Sequence, residues 1–221
     1  MRETLRHFLA EFVGTFALVF VGGGAIMMTR DQPGALVSVA LAHGLVLGIM
    51  ISATMKISGH LNPAVTLGFL VTRRIEPVMA GVHIVAQLLG AMIAAFALKG
   101  LMPDALFDAT RGGGQSVSLD ISGIQAVFLE AIGTFFLTFA VFGTAVDPKA
   151  HRIGGFGIGL TLTFVILAIG PLTGASVNPA RSFGPAIASG SLEGLAIYFV
   201  GPMLGAIVAA LMYDKFLMRD D

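Results

Sequence analysis

Glu11 and Glu130 are carboxylates set against long apolar runs, each heading a matching hexapeptide: EFVGTF at 11–16 and EAIGTF at 130–135. Two near-buried acids at equivalent places could serve a coupled transporter as a proton relay or cation site. Arg181 is a third such charge; in hydrocarbon it would cost about 2.5–3.5 kcal/mol on insertion scales, so it must face water or a partner. The histidines His7, His43, His60, His83 and His151 have no metal-ligand spacing, and there is no cysteine. Disulfides and thiolate-ligated metals are therefore ruled out, and no metal or cofactor is expected. An intramembrane enzyme fails on inventory, since no run carries a nucleophile with a base, an acidic dyad or a metal cluster. Gly112-Gly113-Gly114 has no strand before it and no helix opening after it, which argues against a phosphate loop.

The elements that must position these groups follow from composition. The 221 residues are 56% hydrophobic and 12% charged with zero formal net charge, whereas a soluble domain is about 45–50% apolar and about 25% charged. This is membrane-protein composition, with no basic or acidic surface for nucleic acid. Runs free of Asp, Glu, Lys and Arg cover 12–29, 32–55, 77–98, 131–146 (reaching back to 121 through Glu130), 153–180 and 194–213. Six of them can cross about 30 Å of hydrocarbon as helices of about 20 residues. The first is expected to be retained, because Glu11 interrupts its approach and no small-residue cleavage pattern closes it.

Six spans put both termini on one side, with Arg2, Arg6, Lys56, Arg73, Arg74, Lys149, Arg152, Lys215 and Arg219; the other side has Arg30, Lys99, Arg111 and Arg181. The excess predicts cytoplasmic termini, and the expected location is the cell (inner) membrane. LLGAMIAA at 88–95 matches MLGAIVAA at 203–210, extending the hexapeptide repeat. An odd number of spans per copy inverts the second copy, which places a ligand path between the halves near the midplane. The predicted organisation is a first repeat at 1–102, an extracellular connecting loop at 103–123 and a second repeat at 124–221.

Asn62-Pro63-Ala64 and Asn178-Pro179-Ala180 stand at matching places in the two copies. Proline is costly inside a helix but favourable at its first position, and Asn caps helix starts well. The triplets predict half-helices at about 62–72 and 178–189, too short to span. Non-helical backbone at membrane depth survives only when buried in protein or lining a wet cavity. Residues 58–61 and 173–177 are therefore expected as re-entrant loops with carbonyls facing a pore: Gly59, His60 and Leu61 in one, Gly174, Ala175 and Ser176 in the other. Inversion brings the half-helix N-termini together, each carrying roughly half a positive charge, a barrier to cations and hydronium.

Over essentially its whole length the chain resembles the aquaporins of the major intrinsic protein family, through the two Asn-Pro-Ala triplets, Glu11 and Glu130, and Arg181 directly after the second triplet. The resemblance implies an all-α, right-handed bundle of six tilted helices and two half-helices, one pore per subunit in a homotetramer. It implies that Asn62 and Asn178 donate side-chain N–H groups to a passing oxygen, that Glu11 and Glu130 hold the re-entrant loops, and that Arg181 belongs to a selectivity filter with Ile166 and Ala175. For the second span, LAHGL at 41–45 resembles the family's Ala-Phe-Gly and selects His43; counting back from Asn62 selects Ala42, because the first loop is one residue short.

His43, Ile166, Ala175 and Arg181 look more like filters of the plant vacuolar branch, which implies small neutral solutes besides water. Ser182, Ala186 and Tyr198-Phe199 depart from the glycerol-facilitator pattern. His60 is expected in the cytoplasmic half of the pore, and His83 as a packing or interface residue. The resulting expectation is passive conduction of water; a facilitator of small neutral solutes and an ion-coupled transporter are the alternatives.

Overall fold

The computed structural model describes residues 1–151 and 153–218. Arg152 and Arg219, two of the cations used to assign orientation, lie outside the described residues. Six helices are long and apolar enough to cross a membrane: α1 (Arg2–Thr29), α2 (Ala35–Thr54), α4 (Pro77–Leu101), α6 (Gly123–Val141), α7 (Gly154–Thr173) and α9 (Ile197–Met212). Two half-helices, α3 (Pro63–Val71) and α8 (Pro179–Ser189), and a short helix α5 (Asp104–Thr110) complete the set. Wide π turns at Phe142–Val146 and Tyr213–Leu217 extend α6 and α9. Among the described residues there is no strand, and the chain is an integral multi-pass membrane protein.

The halves use the same pairings. Helix α1 packs on α4 as α6 packs on α9; α3 lies on α9 and α8 on α4; α2 and α7 pack on each other. Each half thus lends its half-helix to the other half's last span, so neither copy is a separate body.

Glycine makes these approaches possible. At the α2–α7 crossing, a Cβ on Gly44 would meet the Gly159 carbonyl, and one on Gly159 would strike the Gly44 carbonyl. In the outer pairs, Gly90 of α4 lies on the Phe12 carbonyl of α1 and Gly205 of α9 on the Ala131 carbonyl of α6. Between helices in lipid, close van der Waals packing replaces the hydrophobic drive. The outward faces carry large apolar residues such as Leu45, Ile49, Phe128 and Phe156.

Two elements differ from the sequence reading. Helix α1 starts at Arg2 and is about 42 Å long at 1.5 Å per residue, so its first turns, with Arg2, Glu3, Arg6 and His7, project past the uncharged run. The stretch 103–123 is more than a connecting loop. It holds α5, whose Phe107 is buried, and a tight turn in which Gly112 and Gly113 take φ of 65° and 78°. A Cβ on Gly113 would collide with Gly23 of α1. The glycines that made this stretch read as solvent loop let its backbone lie on a helix.

Candidate functional site: a pore between two half-helix N-termini

Each Asn-Pro-Ala starts a helix. Asn62 accepts the Ala64 N–H on its side-chain oxygen at 2.9 Å; Asn178 accepts those of Ala180 at 3.0 Å and Arg181 at 3.3 Å. Such caps contribute about 1 kcal/mol each, and with the oxygen occupied the amide nitrogen must point away from the helix. Asn62 Nδ2 donates to the Val177 carbonyl at 2.7 Å, and Asn178 Nδ2 donates to the Leu61 carbonyl at 2.8 Å. The half-helices are braced to each other's loops. Each amide nitrogen carries a second hydrogen, and both side chains form part of the wall of one central cavity.

The loops before the triplets are strained. Leu61, Ala175 and Val177 have φ of 49°, 45° and 47°, a region disfavoured for residues other than glycine and most of all for a β-branched one. The buried acids hold this geometry. Glu11 accepts from the backbone N–H of His60 at 2.9 Å and Leu61 at 2.7 Å, from Gln87 Nε2 at 2.6 Å and from the Ser58 hydroxyl. Glu130 accepts from the N–H of Ser176 at 3.0 Å and Val177 at 2.7 Å and from the Thr173 hydroxyl at 2.7 Å. Both side chains are fully buried.

The central cavity is walled by apolar side chains from both halves, among them Leu18, Leu47, Val65, Leu137, Ile158 and Leu162. His60, Ser176, Asn62 and Asn178 line it, and His43 and Arg181 bound it as well. Arg181 Nη2 lies 3.3 Å from His43 Nε2. His43 Nδ1 lies 2.8 Å from the Val39 carbonyl, which can only accept, so Nδ1 carries the ring proton and Nε2 accepts from the guanidinium. The imidazole is neutral there and aims the arginine. Arg181 Nη1 is buried with no protein partner, a donor left for whatever passes.

His43, and not Ala42, is the second-span residue against Arg181. Ile166 and Ala175 are buried, in the same apolar cluster as Val177. Of the loop residues, His60 and Ser176 line the cavity, Gly59 and His60 border the vestibule on the face where α1 begins, and the Leu61 carbonyl takes the Asn178 amide. Gly174, at φ 79°, packs against Gln115.

His83, expected as a packing or interface residue, has polar partners. It is buried, with Nε2 3.0 Å from His7 Nδ1 and Nδ1 3.3 Å from His60 Nδ1. Thr66 Oγ1 donates to the Asn62 carbonyl and accepts from Gln87, so its 3.1 Å contact with His60 Nδ1 needs a proton on His60. His83 Nδ1 also lies 3.9 Å from Glu11 Oε1 and its Nε2 3.4 Å from the Ser58 hydroxyl, so three imidazoles link the vestibule to the first loop.

Gln87 and Gln115 were absent from the sequence-derived candidates, and Thr173 and Tyr198 were named there without a hydrogen-bonding role. Gln115 Oε1 accepts from Ser182 Oγ at 2.9 Å, and Tyr198 donates to the Thr173 carbonyl at 2.8 Å. An uncharged polar residue inside an apolar run, such as Gln87, is the signal that could have flagged one of them.

The profile described as major intrinsic protein matches residues 1–213, and the chain belongs to that family, the aquaporins. It is 40% identical to "Aquaporin TIP4-4" of Zea mays over 228 residues, covering 97% of this chain and 87% of the relative. It is also 40% identical to "Aquaporin TIP2-1" of Arabidopsis thaliana, covering 97% and 88%. The X-ray structure of the aquaglyceroporin from Plasmodium falciparum superposes with a TM-score of 0.87 at 28% identity, covering 97% of each chain.

Proposed function

We propose that this chain is a passive membrane channel that conducts water along an osmotic gradient and excludes protons and ions. The observation that carries the reading is the pair of asparagines, each fixed by its own cap and by the opposite loop, with both amides in the wall of an apolar cavity where two half-helix N-termini meet. A water oxygen accepting from both amides has its own hydrogens turned outward, which breaks a relay along the file. The two positive helix ends oppose a cation at the same point. Arg181, aimed by His43, adds a fixed charge and a donor that select what enters.

A second reading, transport of small neutral solutes beside water, is favoured by the imidazole at His43 and by relatives whose names include an aquaglyceroporin. A coupled carrier is disfavoured, since the oxygens of Glu11 and Glu130 are already occupied by loop donors. Cytoplasmic termini, on the charge asymmetry, and a homotetramer with one pore per subunit complete the proposal.

Stopped-flow light scattering on proteoliposomes tests it, with sucrose, glycerol and urea gradients and a pH dye inside. Water flux no faster than in empty liposomes would sink it. Rapid re-swelling in urea or glycerol would favour the second reading, and proton movement with solute would favour a carrier.

A further inference from the structure

Three glycines in a row, Gly22-Gly23-Gly24, lie in the last third of α1, and each faces something different. A Cβ on Gly22 would land on the imidazole of His43, against Nε2, Cδ2 and Cε1 together; one on Gly23 would press on Leu98 at 2.7 Å and on the Gly112 carbonyl at 3.1 Å. On Gly24 it would meet nothing closer than 3.8 Å. Gly22 and His43 are both buried. The ring cannot simply step aside, because Nδ1 is held by the Val39 carbonyl and Nε2 by Arg181.

We propose that Gly22 is the positioning residue of the Arg181 constriction, its missing side chain forming the slot that seats the His43 ring and thereby sets where the guanidinium sits. No motif marks the position; it touches neither Asn-Pro-Ala triplet, and its role exists only because α1 and α2 meet at this level. The next residue, Gly23, receives the backbone of the turn at Gly112 and Gly113. One turn of α1 therefore docks both the filter imidazole and the loop leading to Gln115, which accepts from Ser182 next to Arg181. An α-carbon substituent at Gly22 drives the ring out of its slot, toward the guanidinium and the lumen, and a specificity change follows.

The inference rests on the pore reading above, and a mutant cycle separates the two. Wild type, Gly22→Ala, His43→Ala, the double variant and Gly24→Ala are reconstituted, and water and urea permeabilities are measured. Overpacking of this kind is expected to lower water permeability about fivefold or more in Gly22→Ala and to change the urea-to-water ratio. In the His43→Ala background the same change is expected to have less than about a twofold effect, the signature of a direct coupling. Gly24→Ala should behave as wild type. Equal loss in both backgrounds would make Gly22 a general packing residue and overturn the proposal, as would an unchanged Gly22→Ala channel.

If wild-type liposomes pass no more water than empty ones, the pore reading fails. The same cycle read as thermal midpoint in detergent then decides about Gly22: a fall of several degrees confined to the His43 background supports the slot, and equal falls in both overturn it.

Discussion

The two copies of the repeat use one frame and fill it differently. Ser58 and Thr173 donate to Glu11 and Glu130; Leu18 and Leu137, and Leu47 and Leu162, line the pore from corresponding places; Gly90 and Gly205 lie on the carbonyls of Phe12 and Ala131. The residue after Asn-Pro-Ala is Val65 in one copy and Arg181 in the other. The counterpart of His43 is Ile158, and the counterpart of His83, beside Glu11, is Tyr198, bonded to the Thr173 carbonyl. What repeats is what holds backbone at membrane depth. What differs is the polar chemistry: a guanidinium with an imidazole toward one mouth, a chain of three imidazoles toward the other.

If the shared frame rests on the acids, removing them should have the largest effect. Glu11→Ala breaks four hydrogen bonds, although Gln87 keeps its bond to Thr66, and Glu130→Ala breaks three, at about 1–3 kcal/mol per group left orphaned. Against a net stability of about 5–15 kcal/mol, both variants should lose most folded protein, Glu11→Ala the more. Folded yield and thermal unfolding in detergent check this, and a Glu11→Ala channel with parental stability would show that the loops stand without it.

The next effect concerns the odd residue of the second copy. Arg181→Val gives it the first copy's residue and should keep water flux while raising urea or glycerol entry by about tenfold, since a fixed charge and donor leave the constriction. Unchanged solute entry would remove Arg181 from the filter. His43→Phe should narrow the solute range by a smaller factor while leaving water, and if Ala42→Phe does this instead, the constriction lies elsewhere on α2. The smallest effect is expected from His7→Ala, which removes one hydrogen bond worth about 0.5–1.5 kcal/mol. It should lower the thermal midpoint slightly and leave water permeability within about twofold; a large loss of flux would mean that the imidazole chain controls the pore.

Much of the fold was legible because its causes are local. A bilayer demands about 20 uncharged residues per helix, so the charges delimited the spans. Proline at a first turn after a capping asparagine can start a helix but not continue one, so Asn62-Pro63 and Asn178-Pro179 announced the half-helices. Repetition of those triplets and of the glutamate hexapeptides across an odd number of spans required inversion.

The tertiary structure decided what depends on which atoms meet from distant segments. Gly22 had no signal, since its meaning is the ring it admits. His83 looked like filler until α1 and the first loop brought His7 and His60 to it. The choice between His43 and Ala42 turned on a residue missing from the first loop. Between the hydroxyl that binds the acid and the asparagine there are three residues after Ser58 and four after Thr173. The strained loop absorbs that difference through its positive-φ turns, because its position is fixed by carboxylate and amide hydrogen bonds and not by chain length. Helix α2 keeps its register against α7 through the Gly44–Gly159 contact, and that contact, invisible in the linear sequence, leaves His43 facing Arg181.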